Sequence, residues 1–272
     1  MGSLLAAAAS YLDAHARGGQ WLLRIDDIDT YRSVRGAAGQ ILRTLEAHGL
    51  WWDGSVHYQS DNLPQYHAAL EELAQSGEVF YCNCSRRSLA ARGAYPGKCR
   101  ANRQPLEDAA VRIRVDAAVV EFADLLQGRQ IEHLAETVGD FIIHRRDGLI
   151  AYQLATAIDD GDPRISHVVR GCDLLGNTAR QLHIMQQLNL SAPVYAHIPT
   201  LNGPDGRKLS KQNHAPAVSD DKALENLLDV FGYLGLHPPT RSTHWDIASL
   251  LDWGCKHWSL EHLQGQTSVC VD

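Results

Sequence analysis

The stretch Trp21-Leu22-Leu23-Arg24-Ile25, followed directly by Asp26-Asp27-Ile28-Asp29, decides the fold class of this chain. Its first five residues form a short, mainly apolar run, which predicts a buried strand. Before it, helical spacing runs from Ser3 to Arg17 and stops at Gly18-Gly19, since glycine commonly ends a helix. After it, a second helical pattern runs from about Ser33 to His48. A strand between two helices is typical of an α/β layered fold with parallel strands.

The alternation of helix and strand continues along the chain, with one interruption. Ser60 to Ser76 predicts a helix that begins at a serine cap, and Val79-Phe80-Tyr81-Cys82 predicts a strand. From about 79 to 137 the segments are short, and Val111 to Val115 alternates like an exposed strand, so we interpret this part as an insertion. The pattern then resumes with strands at 141–143 and 165–169 and a helix at 178–188, and it is helical from about 221 onward.

Charge and hydropathy limit the possible partners. The 272 residues include 25 Lys and Arg and 32 Asp and Glu, a net charge of -7. The molecule has no overall basic field, so a nucleic acid would have to bind a local patch. No apolar run reaches the roughly 18 residues of a membrane span. The apolar start from Met1 to Ala9 lacks the basic region of a signal peptide. We therefore expect a cytoplasmic protein that does not contact a membrane.

A pair of lysines suggests phosphate chemistry. Arg207-Lys208-Leu209-Ser210-Lys211-Gln212 follows the turn at Asn202 to Gly206. Two lysines three residues apart on a loop reach two phosphates of one ATP, and their ammonium groups stabilise the charge that builds on the leaving pyrophosphate. Lys208 and Lys211 are therefore candidate catalytic residues. Taken alone, the segment is better explained as a solvated surface loop.

Three of the six cysteines, Cys82, Cys84 and Cys99, lie within 18 residues of one another. Without a targeting signal, this clustering favours metal binding or core packing over disulfides. Three thiolates and a fourth ligand would complete a closed tetrahedral zinc site, and zinc stabilises segments that lack a core of their own. Buried free thiols are the alternative.

A basic run overlaps the cysteine cluster. Between Ser85 and Pro105 there are six basic residues and no acidic residue: Arg86, Arg87, Arg92, Lys98, Arg100 and Arg103. On an acidic protein this run is the best candidate for phosphate contacts with RNA. A solvated face, or compensation for a negatively charged zinc–thiolate cluster, explains the run equally well.

Five segments, in order along the chain, resemble the glutamyl and glutaminyl branch of the class I aminoacyl-tRNA synthetases. They are Gly2-Ser3-Leu4, Arg24-Ile25-Asp26-Asp27-Ile28-Asp29, Asp140 to Ala155, Val168 to Leu174, and Lys208-Leu209-Ser210-Lys211. The longer stretch from Lys208 to Pro216 is similar to the glutamyl-queuosine tRNA(Asp) synthetase family specifically. The resemblance covers about residues 2 to 216 and is weaker in the helical tail.

This resemblance implies residue roles at the substrate site. Tyr152 and Arg170 match the family's glutamate-binding tyrosine and arginine, and an arginine suits a carboxylate through a two-pronged, charge-assisted contact. Without the resemblance, a core aromatic and a structural ion pair would be the better explanations. Asp26 stands where the family usually has the glutamate that holds the substrate amino group, and it is one methylene shorter. Gly2 and Lys211 match ATP-binding positions.

The resemblance also implies the metal ligands and the domain organisation. In that family, Cys-x-Cys followed by Tyr-x-x-x-Cys binds one structural zinc, which here implies Cys82, Cys84, Tyr95 and Cys99. The implied fold is a doubly wound, Rossmann-like parallel sheet with a zinc-containing insertion and a C-terminal helical domain. The predicted boundaries are 1–78 and 138–198 for the two parts of the catalytic domain, 79–137 for the insertion, and 199–272 for the signature loop and small helical domain.

The chain begins later than the family pattern. The resemblance implies a first strand carrying Arg-Phe-Ala-Pro-Ser-Pro-x-Gly and then a signature His-x-Gly-Ser-Leu, of which Gly2-Ser3-Leu4 is the tail. The first strand is central in a doubly wound sheet, so its loss would leave an unpaired edge. We expect a mis-assigned start or a truncated chain, with weak or absent activity and poor stability as it stands.

The implied activity is the ATP-dependent, tRNA-independent activation of L-glutamate and its transfer to queuosine in the anticodon of tRNA(Asp). The implied enzyme is a monomer that uses ATP with Mg2+. Only 61 residues follow Lys211, too few for an anticodon-binding region. This favours queuosine modification over a glutamyl-tRNA synthetase that acts on the acceptor end. Two competing hypotheses are a non-catalytic RNA- or zinc-binding paralogue and an unrelated ATP-using α/β enzyme.

Overall fold

The computed structural model describes residues 1–85, 94–209, 218–239 and 244–271. Within these ranges the helices are α1 Gly2–Ala16, α2 Ala37–Ala47, α3 Leu63–Gln75, α4 Leu134–Thr137, α5 Tyr152–Asp160, α6 Leu175–Gln187, α7 Ala223–Tyr233 and α8 Ile247–His257. The strands are β1 Arg24–Ile25, β2 His57–Tyr58, β3 Val79–Cys82, β4 Ala110–Ile113, β5 Val119–Asp124, β6 Gly128–His133, β7 Phe141–His144, β8 His167–Gly171, β9 Val194–Ile198, β10 Thr200–Asn202 and β11 Ser268–Cys270.

Parallel strand pairs confirm the predicted α/β class. The largest sheet has the order β6-β5-β9-β8, in which β8 and β5 both run parallel to β9 and β6 is antiparallel. Two smaller parallel pairs join β1 to β2 and β10 to β11. Helix α1 packs against β8 at one edge of the four-stranded sheet.

A second, antiparallel sheet has the order β3-β4-β7. The prediction that its middle strand is exposed was wrong, because all four residues of β4 are buried. Arg112 is buried there since its Nη1 donates to the Asp140 carbonyl at 2.6 Å and its guanidinium lies over the Tyr95 ring. The sheet joins β3 and β4 to β7, and the domain boundaries at 79 and 137 remain predictions.

Two other differences from the predicted elements concern short strands. Of the run from Trp21 to Ile25, only β1 pairs as a strand, because the Trp21 backbone N–H donates to Asp53 Oδ2 at 2.8 Å instead. The tail after 221 contains the two predicted helical regions, but it also contains β11, which pairs with β10. Each of these two strand pairs joins segments that are far apart in the sequence, so local sequence patterns do not predict the pairing.

The core has two main apolar clusters. One joins α1, α7 and α8 through side chains that include Leu12, Phe231 and Leu250. The other packs α3, α5 and α6 against the antiparallel sheet. Among the helices of the described ranges, none combines the length and apolar character that a bilayer crossing requires.

Candidate active site and metal centre

Arg170, on β8, is the most constrained of the residues predicted to bind glutamate. Its Nε donates to His197 Nε2 at 3.0 Å, and its Nη2 donates to Thr178 Oγ1 at 2.9 Å and Gln181 Oε1 at 2.6 Å. The remaining terminal nitrogen, Nη1, faces Asp160 Oδ2 at 3.6 Å. Hydrogen bonds therefore fix the Nε and Nη2 sides of the guanidinium, and its third side, Nη1, faces Asp160.

A row of alternating charges links Arg170 to Asp26. Asp160, at the end of α5, accepts from Arg24 Nη1 at 2.6 Å, and Arg24 Nε donates to Asp26 Oδ1 at 2.7 Å. Burial raises the pKa of Asp160, although the positive charges of Arg24 and Arg170 oppose this effect. Asp26 is the most exposed of the four, with 38% of its side chain accessible. The row thus leads from a buried arginine to an accessible carboxylate.

Tyr152 joins the same cluster as the first residue of α5. The guanidinium carbon of Arg170 lies 5.0 Å from the centre of the Tyr195 ring. Burial and the charge of Asp160 raise the pKa of Tyr195, and Tyr152 is close enough to contribute. The structure therefore links Asp26 to Arg170 through Arg24 and Asp160, and it places Tyr152 within electrostatic range of Tyr195.

Of the residues predicted to act on ATP, the structure describes Lys208 and Gly2. Lys208 Nζ forms a 2.6 Å ion pair with Asp173 Oδ2, two residues after β8 ends. Gly2 is the first residue of α1, and a Cβ atom built on it would meet nothing within 4 Å. Lys211 lies outside the described residues. Lys208 is thus held near the carboxyl end of β8, the end of a parallel strand at which α/β proteins bind ligands.

The predicted metal ligands come together at a second site. The Sγ atoms of Cys82, Cys84 and Cys99 lie within 4.8 Å of one another, and those of Cys84 and Cys99 are 3.5 Å apart. The Tyr95 hydroxyl lies 3.5 Å from Cys82 Sγ and accepts the Cys99 backbone N–H at 3.0 Å. Tetrahedral Zn–S bonds of about 2.3 Å place sulfurs about 3.8 Å apart, so the donor set fits zinc.

The surroundings of Cys82 favour its thiolate, whereas burial and the neighbouring sulfurs raise the pKa of Cys84. Burial alone would raise the pKa of Cys82, but hydrogen bonds from Tyr95 and the Cys84 backbone and the positive charge of Arg112 lower it to about 7. The backbone also approaches closely here. A Cβ at Gly139, where φ is +67°, would lie 2.5 Å from the Tyr95 backbone nitrogen. Glycine at 139 therefore lets Tyr95 reach the sulfurs.

Two of the three described residues of the basic run, Arg100 and Arg103, contact other parts of the protein. Arg100 donates to both carboxylate oxygens of Asp140, at 2.6 and 2.5 Å, and to Asp116 at 2.8 Å. Arg103 donates to the Gly77 carbonyl. Lys98 is exposed. The other three arginines of the run, at 86, 87 and 92, lie outside the described residues. Arg100 and Arg103 therefore stabilise the fold around the cysteines, and RNA contact by the run remains a prediction.

Several residues that build the site were not predicted. His197 lies within an apolar strand and is fully buried, and Asp124, which contacts it, ends β5. Asp160 is a buried carboxylate at a helix end. A histidine within an apolar strand was a visible signal for His197. Nothing in the sequence pairs it with Asp124, 73 residues away.

Comparison with known proteins agrees with this geometry. The family described as tRNA synthetases class I (E and Q), catalytic domain, matches residues 1–230. The chain is therefore a ligase of that class. Among its relatives, a glutamyl-Q tRNA(Asp) synthetase of Pseudomonas aeruginosa is 46% identical over 258 residues, which is 94% of this chain and 88% of the relative. One of Methylococcus capsulatus is 47% identical over 266 residues, or 97% and 88%. The chain belongs to the glutamyl-Q tRNA(Asp) synthetase family.

A solved structure supports the fold. A glutamate-tRNA synthetase from Elizabethkingia anophelis superposes with a TM-score of 0.81 at 21% identity, over all of this chain and 65% of that one. The chain thus spans about two thirds of the length of that synthetase. At this identity the likeness concerns the architecture alone.

Proposed function

We propose that this ligase activates L-glutamate with ATP, without tRNA, and transfers the glutamyl group to queuosine in the anticodon of tRNA(Asp). The observation that supports the proposal is the row that joins Asp26 to Arg170 through Arg24 and Asp160, together with the pairing of Lys208 with Asp173 just after β8. The names of the relatives support the amino acid and the tRNA. We further propose that the enzyme is a cytoplasmic monomer.

The glutamate side chain would meet Arg170 at Nη1. Nε and Nη2 already donate to His197, Thr178 and Gln181, so the substrate carboxylate would contact one nitrogen rather than the two of a fork. This differs from the two-pronged contact expected from the sequence. The fixed direction of Nη1 compensates, because a pre-oriented donor loses little entropy on binding.

The substrate amino group would bind Asp26. Its Oδ1 accepts from Arg24, which holds the shorter side chain in place and leaves Oδ2 for an ammonium. Lys208, together with Lys211 and Mg2+, would bind the phosphates of ATP. Lys208 would leave Asp173 and contact the phosphates, where its charge stabilises the leaving pyrophosphate. Activation then rests on position and charge and requires no covalent enzyme intermediate.

We propose one structural Zn2+ bound by Cys82, Cys84, Tyr95 and Cys99. The fit of the donor set supports this assignment. The ion would join β3 to the loop that contains Tyr95 and Cys99, and Arg112 would balance part of the negative charge of the ligands.

Glutamate-dependent exchange of pyrophosphate with ATP, measured without tRNA, tests the activation step. We expect weak or no exchange by the chain as it stands and clear exchange by a form extended upstream with the family's first strand. In that extended form, Arg170→Lys should raise the KM for glutamate about 30-fold or more, since breaking a buried charge contact costs about 2 kcal/mol or more. The matched control is Arg164→Lys, because Arg164 is 80% exposed and pairs only with Asp162 among the described residues. Absence of exchange by both forms would reject activation.

Transfer is tested with labelled glutamate and two forms of tRNA(Asp), one with queuosine and one with guanosine at the same position. We expect label only on the first form. Equal labelling of both would show that the acceptor end is the target, as in a glutamyl-tRNA synthetase.

Metal analysis tests the zinc proposal. We expect about one zinc per chain in the wild type, and loss of zinc with a lower Tm in Cys99→Ser. Cys270→Ser is the control, because Cys270 is exposed and lies outside the cluster. A wild type that takes up no zinc, or a Cys99→Ser variant that retains it, would contradict the assignment.

A further inference from the structure

His197 lies between Arg170 and Asp124 in the interior of the four-stranded sheet. Arg170 and His197 are direct neighbours in the parallel pairing of β8 with β9. His197 Nε2 is 3.0 Å from Arg170 Nε, and His197 Nδ1 is 2.6 Å from Asp124 Oδ2. The side chains of both His197 and Asp124 are fully buried. Neither belongs to the residues assigned to the substrates above.

The contacts of Asp124 fix which histidine nitrogen carries the proton. Asp124 Oδ1 accepts three backbone N–H groups, from Leu126 at 3.0 Å, Gln127 at 2.9 Å and His197 at 3.2 Å. Oδ2 is therefore the oxygen that accepts from the ring, so the proton lies on Nδ1. His197 Nε2 then carries an unprotonated lone pair, which is what the Arg170 Nε–H requires, since a guanidinium can only donate. The Thr178 hydroxyl, which accepts from Arg170 Nη2, also lies 3.1 Å from His197 Nε2.

This arrangement sets the direction in which Arg170 points. His197 holds Nε, while Thr178 and Gln181 on α6 hold Nη2. With the opposite histidine tautomer, two N–H groups would face each other at 3.0 Å. Arg170 would then have to rotate, and Nη1 would leave the position that faces Asp160.

We propose that His197, with its tautomer set by Asp124, is a positioning residue that orients Arg170 toward the carboxylate of the substrate. The inference rests on the proposed role of Arg170 in binding glutamate. It adds two residues, from β5 and β9, to the determinants of amino-acid affinity.

Three substitutions separate the two contacts of His197. In His197→Gln the side-chain oxygen reaches the position of Nε2 and can still accept from Arg170. In His197→Asn the amide reaches only the position of Nδ1, so the contact with Arg170 is lost. In Asp124→Asn the three backbone N–H groups keep the amide oxygen at Oδ1, so the NH2 group faces Nδ1 and imposes the opposite tautomer.

In pyrophosphate exchange by the upstream-extended form described above, His197→Asn and Asp124→Asn should each raise the KM for glutamate about tenfold, which corresponds to about 1.4 kcal/mol. The KM for ATP and kcat should change less than about twofold, because the contact affects ground state and transition state equally. His197→Gln should stay close to the wild type. If His197 and Asp124 only stabilise the fold, the variants should have lower Tm values without a selective change in the KM for glutamate. That result would overturn the proposal.

Nitrogen-15 NMR provides a readout that does not require activity. The His197 ring, identified by loss of its signals in His197→Gln, should be neutral and protonated at Nδ1 in the wild type and at Nε2 in Asp124→Asn. The Arg170 Nε–H should exchange slowly with water in the wild type and in His197→Gln, and quickly in His197→Asn. Protonation at Nε2 in the wild type, or equal exchange of Arg170 Nε–H in all forms, would refute the positioning role. If these NMR results hold but glutamate supports no exchange, the proposed function fails and the orientation of Arg170 stands.

Discussion

Replacing Tyr66 by Phe should destabilise the fold by about 2 kcal/mol, since a hydrogen bond to a charged group contributes about 1.5–3 kcal/mol. Tyr66 is fully buried on α3, and its hydroxyl lies 2.8 and 2.9 Å from the two carboxylate oxygens of Asp159 on α5. Asp159 also accepts from Gln59 Nε2 at 2.7 Å, so the pair joins α3 and the turn before it to the helix that carries Asp160. Only 4% of the Asp159 side chain is exposed, so water screens little of this interaction.

Tyr195→Phe is the matched control, because it removes the same atom from an equally buried ring. The Tyr195 hydroxyl is buried without a hydrogen-bond partner in the described part of the chain. Its loss should leave stability unchanged or raise it by up to about 1 kcal/mol, since an unsatisfied buried group is itself a cost. Urea unfolding followed by tryptophan fluorescence measures both variants. Equal midpoints for the two would show that the contact between Tyr66 and Asp159 does not stabilise the fold.

Two further predictions concern α7 and α8. A Cβ at Gly254 would lie 2.6 Å from Phe231 Cζ, so Gly254→Ala should lower stability in urea by about 1–2 kcal/mol from overpacking. Gly232→Ala, where nothing lies within 4 Å, should raise it by up to about 1 kcal/mol through helix propensity. Asp246 caps α8, and hydrogen bonds from the hydroxyl and backbone N–H of Ser249 lower its pKa below the ordinary 3.8. The stabilisation is therefore present above pH 3.8 and is lost as the pH falls through the lowered value. The Tm advantage over Asp246→Asn should be constant near pH 6 and shrink below about pH 4.

The sequence predicted those parts of the fold that depend on local pattern. The strand at Val79–Cys82 and the helix ending near His48 follow from apolar runs and glycine stops, and the structure has them within a few residues. The short strands β2 and β11 were missed because each pairs two or three residues with a distant partner. The exposure of β4 was mistaken because Arg112 looked like a surface residue until its contacts with Tyr95 and Asp140 were known.

The residues of the candidate site were likewise predicted from the sequence only in part. Cys82, Cys84 and Cys99 could be grouped from sequence because they are close along the chain, whereas Tyr95 was included only through family resemblance. The neighbours of Arg170 come from three other elements, α5, α6 and β9, which the fold brings together. A pattern that looks for acids, lysines and cysteines near turns does not detect a histidine inside an apolar strand.

The row Asp26–Arg24–Asp160–Arg170 is difficult to explain by stability. Removing two opposite charges from water costs several kcal/mol per ion, and apolar replacements of buried ion pairs are often neutral or stabilising. Only 4% of the Asp160 side chain and 10% of the Arg170 side chain are exposed, so the cost applies here. Burial also raises the pKa of Asp160 despite two neighbouring arginines. The proposed substrate, L-glutamate, carries an ammonium group and a side-chain carboxylate, and this row holds Arg170 at one end and Asp26 at the other. We propose that binding of such a substrate is the reason for an arrangement that folding alone would not favour.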